Sequence, residues 1–588
     1  MHPAKSKSRT ADILIALITT VLLITVVSLA FEHYYEFNDD VLMKDILSGA
    51  YTGSPNALNI QMLSPIGAVL SALYRVMPHQ AWYGIFLCAC HYLCILLLAY
   101  RTVRVSRGIS AKISVAVIVF LFSMGVLLAH IVMAQYTVTV ALLAATAALY
   151  FYTIPAGTSG RKFLIYAILP ALLVILAYQI RTEMLLLCLP FLAAAGIARW
   201  SREKQPFDRP VAGGYAGTVA IIALGLILSF AVNGVSYSSG EWKVFLMEFD
   251  NRTELYDYQY VPSYEEHSDF YESIHLTEAD VKLLENYDYV LDERIDGAVL
   301  GQVAAYAAGL REESFISRLP GGIREYIYRI THFKDGVYAL LNLFLYVMLI
   351  IAVISDKDRT VKHKIMILIV RVGGLAMARS ISWIYIVCGR REPDRIVHSL
   401  YIVESIILFA MLLTEFTGRL REGRYLQLTT ILVLGLGGLI MMPISISRVN
   451  AHIDAQEKIN RYDQAIDAYC RAHPDDFYFE DVYSTIIDGE TFNEKMFEGV
   501  DNSVKNRDLL GGWIANSPLQ REKLNRYGIS GVAESLLNNG NVHIICADEY
   551  GMDWAVDYYA DREIEVKIDR IDEIAGIYGV YDVKTTGP

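Results

Sequence analysis

Charge is what this chain has least of. Asp, Glu, Lys and Arg supply 19% of its 588 residues, where an ordinary soluble domain carries about 25%. Apolar residues fill the gap at 54%. Cysteine is also sparse. Five of the seven lie in apolar stretches (Cys88, Cys90, Cys94, Cys188 and Cys388). No CxxC…CxxC or Cys/His ligand spacing occurs, which argues against structural zinc. Cys470 and Cys546 alone lie in polar sequence, where they could pair or stay two free thiols. Walker A, GxSxG and HExxH patterns are missing, and Gly511-Gly512-Trp513 is too short to serve as a phosphate loop. No basic stripe is interleaved with aromatics, so no nucleic-acid partner is expected.

What is present is a series of apolar blocks of roughly 20 residues, long enough to span hydrocarbon. Lys5, Lys7 and Arg9 precede the first, which runs over residues 11–31. A cleaved signal peptide, cut near Ser28-Leu29-Ala30, is the competing reading. The run is longer than an h-region of about 7–15 residues, which favours a retained span. Further spans are predicted near 81–100, 113–130, 134–153, 164–180, 183–198, 212–233, 337–354, 365–388, 396–415 and 426–446. The expected fold is therefore a polytopic α-helical membrane protein of about eleven spans.

Loop charge orients these spans. Basic residues cluster at Arg101, Arg104, Arg107 and Lys112; at Arg161 and Lys162; at Arg199, Arg202, Lys204 and Arg209; at Lys357, Arg359, Lys362 and Lys364; and at Arg419, Arg421 and Arg424. All five loops share the N-terminal side only if residues 63–78 do not cross. That stretch has Pro at both ends and contains Arg75, and it reads as an interfacial or re-entrant helix. The N-terminus is then cytoplasmic and the C-terminus extracytoplasmic, at the cell membrane.

Three polar segments fall on the outer side: 32–80, about 236–336, and the tail from 447. The second holds twenty Asp/Glu against nine Lys/Arg and looks helical over 278–294. In the tail, a helix over 454–472 precedes strand-like stretches at 477–483, 542–547, 563–568 and 577–583. That alternation predicts a small α/β domain at 447–588, beyond a membrane domain at 1–446.

The sharpest candidate site is Phe37-Asn38-Asp39-Asp40, just past the first span. Adjacent carboxylates at a membrane face are costly unless solvated or used. They suit a general base, with a divalent ion such as Mg or Mn held by Asp39 and Asp40; solvated acids at a helix end are the plainer reading. Charged residues in or beside spans come next. Arg181 and Glu183 sit at an outer junction, Arg371 and Arg379 within a span, and Arg390, Arg391, Asp394 and Arg395 in an outer turn. Arginine forks match phosphate oxygens, so Arg181, Arg379, Arg391 and Arg395, with Glu183 beside the first, are candidate substrate-binding residues, the arginines to hold a lipid phosphate. Snorkelling, or pairing of Arg181 with Glu183 and Arg391 with Asp394, would explain them otherwise. His130 and Gln135 flank a short outer turn and read as packing residues. Asn251-Arg252-Thr253 forms a glycosylation sequon. Tyr256, Tyr258, Tyr260, Tyr264 and Tyr271 form either a sugar-stacking surface or an interfacial belt.

This arrangement resembles the GT-C class of membrane glycosyltransferases over roughly residues 10–415. The matching pieces are an inner N-terminus, one span, an outer loop with Asp39-Asp40, short amphipathic helices over 41–78, and a second large outer loop between spans seven and eight. The resemblance implies a polyprenyl-phosphate sugar as donor and a glycan, lipid or protein as acceptor. It implies Asp39 or Asp40 as the base, often beside a divalent metal, and outer arginines holding the donor phosphate. One departure is the turn between spans three and four, where some members carry a second acidic motif and this chain offers only His130 and Gln135. A transporter or flippase is a rival reading, though it would favour internal repeats that the unequal loops do not show. A surface-polysaccharide polymerase or ligase, or a structural or sensory membrane protein, are others.

Overall fold

The computed structural model describes residues 3–311, 314–417, 424–487, 492–498 and 500–586. Among these, nine helices are long and apolar enough to cross a membrane: Arg9–Ala30, Trp82–Val105, Gly160–Ile180, Thr182–Trp200, Arg209–Ser236, Gly336–Ile354, Val361–Cys388, Asp394–Phe416 and Leu428–Ala472. Two shorter apolar helices, Ile109–Gly125 and Tyr136–Tyr152, occupy the two remaining places in the hydropathy pattern. Tyr136–Tyr152 is buried almost all round, packed by the helices 160–180, 182–200 and 394–417. It needs no lipid-facing length. Its small residues Ala141, Ala144, Ala145, Ala147 and Ala148 are all buried, which lets neighbouring backbones approach closely.

The basic loops meet at one end of this bundle. The buried carboxylate of Asp12 takes Arg104 at 2.9 Å and Lys112. Arg101 donates to the Thr153 carbonyl at 2.6 Å, Arg199 to that of Ile154 at 2.9 Å, and Arg202 to that of Tyr152 at 2.9 Å. Arg359 and Arg371 share Glu415. Arg419 and Arg421 lie outside the described residues, as do the side chains of Lys5, Lys7 and Arg424. Residues 64–76 form a helix of 13 residues, about 20 Å long and too short for a bilayer core of about 30 Å. It is pinned at the other end of the bundle, where Leu63 N–H donates to the Gln179 carbonyl at 2.9 Å and Ser64 N–H to Asn233 Oδ1 at 2.8 Å.

All three long polar segments gather at that second end. The tail holds a five-stranded sheet of β3 (Phe477–Glu480), β4 (Arg507–Leu509), β5 (Val542–Ala547), β6 (Val566–Ile574) and β7 (Tyr578–Thr585), in the order β4-β3-β5-β7-β6. The first three strands run parallel and the rest antiparallel. A pair of two-residue strands, β1 (Tyr34–Tyr35) and β2 (Met133–Ala134), ties the first polar segment to the turn carrying His130 and Gln135. β4 is only three residues long, too short for a period to be read from sequence. Cys470 and Cys546 are buried free thiols in separate cores.

The tail is not a separate module in packing terms. Leu283, Leu284, Val290 and Leu300 of the second polar segment share one core with Phe477, Ile544 and Trp554 of the tail. The boundary read at 446/447 falls inside one continuous helix, Arg424–Ala472. The predicted helix over 278–294 stops at Asn286, because Tyr287 adopts a left-handed backbone with φ 69°. The first polar segment is clamped to the tail by a buried ionic cluster. Lys44 meets Asp45 and Glu494, each at 2.8 Å, and Lys505 meets Asp45 at 2.7 Å. Lys44→Met strips Asp45 of one of its two cations. The expected loss is at the low end of the ~3–5 kcal/mol typical of a broken buried pair, because Lys505 remains. The melting midpoint in detergent should fall accordingly, and an unchanged midpoint would show that the cluster contributes nothing.

Candidate functional site

The helix Asn38–Ser48 begins immediately after β1, with Phe37 as its N-cap. Asp39 and Asp40 therefore lie in its first turn, where the helix dipole favours negative charge. Successive residues on a helix point about 100° apart, and the two carboxylates diverge. Asp40 turns inward, fully buried, and accepts a hydrogen bond from the Tyr83 hydroxyl at 2.7 Å. Burial pushes its carboxyl well above the usual range, partly offset by the Tyr83 bond. Asp39 turns outward into a cavity of about 410 Å³, where its Oδ1 accepts from the Trp513 indole N–H at 3.0 Å.

Four stretches wall this cavity: the helix bearing Asp39, the helix end at Arg252, the Tyr287 turn, and the tail around β3, β4 and Trp513. Trp513 follows two glycines whose task is steric. A Cβ on Gly511 would lie 1.8 Å from the Tyr287 carbonyl oxygen, and Gly512 has φ +104°. The loop is held by Val290 N–H donating to the Leu510 carbonyl at 3.0 Å and Tyr289 hydroxyl donating to that of Gly512 at 3.0 Å. Gly511-Gly512 thus brings two backbones together and aims Trp513 at Asp39.

The sequence-predicted arginines separate into two groups. Arg181 hydrogen-bonds the Tyr136 hydroxyl and feels the charge of Asp39; its contact with the exposed Glu183 is 3.9 Å. Arg395 lies over the Phe37 ring at 4.8 Å and acts electrostatically on Asp40 and Glu36. Arg181 belongs to the surroundings of Asp39 and Arg395 to those of Asp40 and Glu36, and neither is among the residues lining the cavity. Arg391 pairs with Asp257 of the cavity wall at 2.6 Å rather than with Asp394. Arg379 is elsewhere, buried against Glu404 at 2.5 Å and the Tyr401 hydroxyl at 3.0 Å, so its charge is already matched. Arg371 is likewise committed to Glu415. His130 contacts His398 at 3.2 Å, and the Gln135 side chain caps a helix by accepting from Thr137 N–H.

Residues that composition and spacing did not single out complete the site. Glu36 is raised to about 7, mainly by burial, with Arg395 opposing and Asp394 adding to the rise. Arg252 was visible only as the middle of a sequon, and Asn251 of that sequon donates to the Gly297 carbonyl at 2.7 Å. Trp513 and Lys523 come from the tail, more than four hundred residues from Asp39 in sequence. Of the tyrosine cluster, Tyr256 lines the cavity while Tyr271 is buried in the tail core.

A divalent ion held jointly by Asp39 and Asp40 does not fit this arrangement, since one carboxylate faces the cavity and the other Tyr83. Among the described residues no group of three His, Cys, Asp or Glu converges as a metal site. No protein-family model, curated protein or solved structure matches the chain. Gly511→Ala tests the geometry directly. The clash should cost at least the ~1–3 kcal/mol of a typical overpacked site, lower the melting midpoint and expose the 287–291 turn to protease. Unchanged midpoint and protection would mean the two backbones are not held at this spacing.

Proposed function

We propose that this chain is a membrane glycosyltransferase of the GT-C kind. It moves a sugar from a polyprenyl-phosphate donor to a glycan, lipid or protein acceptor on the extracytoplasmic face of the cell membrane, with the N-terminus cytoplasmic. The observation that carries the reading is Asp39, a carboxylate facing a cavity at the end of an apolar helix bundle, with Arg181 in its electrostatic surroundings and Arg395 acting with it on Tyr136. Asp40 is unsuited to the same role, because it is fully buried away from the cavity, burial disfavours its charged form, and its oxygen is taken by Tyr83.

In this reading Asp39 accepts the proton of the acceptor hydroxyl. The freed oxygen forms a bond to the anomeric carbon while the bond from that carbon to the phosphate oxygen breaks. The electron pair leaves with the polyprenyl phosphate, and the configuration inverts. Arg181 and Arg395 oppose the charge that develops on the leaving group, which is what such a step most requires. No step is routed through a metal, since the two aspartates diverge.

Asp39→Asn should lower transfer by about 100- to 10,000-fold without reducing membrane expression, while Asp40→Asn, which can still accept from Tyr83, should retain most of it. Full transfer by Asp39→Asn, or wild-type protein that moves labelled lipid between leaflets and transfers no sugar, would overturn the reading. Acidity gives a second test. Glu36 is neutral below its raised pKa of about 7 and negative above it, so it opposes Arg395 increasingly as pH rises. Apparent affinity for the donor, a phosphodiester whose own charge is constant, should therefore fall as pH rises through neutrality. Glu36→Gln should flatten that step; a step that persists in the variant belongs to another group.

A further inference from the structure

The charges lining the cavity are almost all paired. Asp45 is matched by Lys44 and Lys505, Glu480 by Arg507 at 3.0 Å, Asp257 by Arg391 at 2.6 Å, and Asp508 by Lys523 at 3.6 Å. Two lining charges have no ion pair among the described residues. One is Asp39, already given the role of base. The other is Arg252. The residue is 7% exposed, yet it meets only neutral partners: Tyr287 hydroxyl at 2.5 Å, Thr253 Oγ1 at 2.9 Å and the Phe249 ring at 5.1 Å. Its Nε–H is buried and has no acceptor. Asp257 acts on it electrostatically from beyond ion-pair distance, but that carboxylate is already paired with Arg391. A buried guanidinium without a counter-charge of its own is costly, and an orphaned donor on it adds to the cost. An anionic ligand in the cavity supplies the missing counter-charge.

We propose that Arg252 binds the carboxylate of an acidic sugar in the acceptor. The inference rests on the transferase reading for the word acceptor and names the substrate class of that same site. Three features select this ligand. Arg252 and Asp39 line one cavity, and Tyr287, which receives the Arg252 hydrogen bond, feels the charge of Asp39. A ligand anchored at Arg252 can therefore present a hydroxyl to Asp39. Tyr256 and Tyr287, with ring centroids 4.0 Å apart, and Trp513 offer aromatic surface to the faces of a sugar ring. Two of the five donors of Arg252 are spent on Tyr287 and Thr253 and the Nε–H is enclosed, which leaves one N–H on each terminal nitrogen, a match for the two oxygens of a carboxylate.

The test is calorimetric titration of the full-length protein in lipid nanodiscs with three probes: a disaccharide containing glucuronic acid, its neutral glucose counterpart, and farnesyl phosphate. Wild type should bind the acidic disaccharide about tenfold or more tighter than the neutral one, as a charge-assisted contact implies. Arg252→Gln should abolish that preference while leaving the neutral disaccharide and farnesyl phosphate unaffected. Arg252→Lys keeps the charge and should keep part of the preference, which covers the case in which the glutamine variant does not fold. Equal affinity for the two disaccharides in wild type, or no affinity for either, overturns the proposal. So does an Arg252→Gln variant that weakens farnesyl phosphate alone, since the residue would then belong to the donor. A protein that binds the acidic disaccharide through Arg252 but transfers no sugar keeps this site and loses the transferase reading.

Discussion

Everything at the polar end of this molecule depends on Lys44. Its ammonium is enclosed between Asp45, one residue on, and Glu494, four hundred and fifty residues away. Enclosing an ammonium is unfavourable unless carboxylates come with it. The chain meets that condition in part locally, through Asp45, and completes it through Glu494 by folding the tail down onto the helix that follows the first span. Once that contact is made, Lys505 completes the cluster on Asp45, Tyr51 reaches Asp508 at 2.9 Å, and Arg526 reaches the Thr52 carbonyl at 2.5 Å. Trp513 is then brought to Asp39. The cavity is a by-product of this closure: it is the space left where two surfaces, pinned along one edge, fail to meet.

The bundle was legible in the sequence because long apolar runs have few alternatives to helices when no water reaches their backbone. The basic loops were equally informative, since their side chains converge on carboxylates and carbonyls at one end, Asp12 and Glu415 among them. Loop charge, Pro at both ends and Arg75 mark residues 63–78 as a stretch that does not cross, and the 13-residue helix found there is too short to span. The tail strands were also visible, except β4, whose three residues carry no readable alternation.

The site was legible only in part, for a geometric reason. Asp39 and Asp40 are adjacent, and adjacency in a sequence suggests a pair. On a helix it guarantees the opposite, and one carboxylate faces a cavity while its neighbour faces Tyr83. The arginines misled in a similar way. Arg379 drew attention by lying inside an apolar segment, but Glu404 lies twenty-five residues further on and takes its charge. Arg252 drew none, because its importance lies in a partner it lacks. Absence of a counter-charge is a property of three-dimensional surroundings and leaves no mark on the neighbouring residues.

The helix Arg424–Ala472 has a consequence of its own. At about 1.5 Å per residue its 49 residues extend about 74 Å, more than twice a hydrocarbon core of about 30 Å. Its far turns hold the sheet through Asp463, at 2.8 Å from Arg507, and Asn460, at 2.8 Å from Asn493. The apolar segment, long enough to cross a membrane, and the post that carries β4 are one continuous helix with Pro443 inside it. The distance between the apolar segment and the cavity wall is thereby set by covalent continuity. A linker in that place would let the sheet find its own height, whereas this helix makes altitude a fixed dimension of the protein.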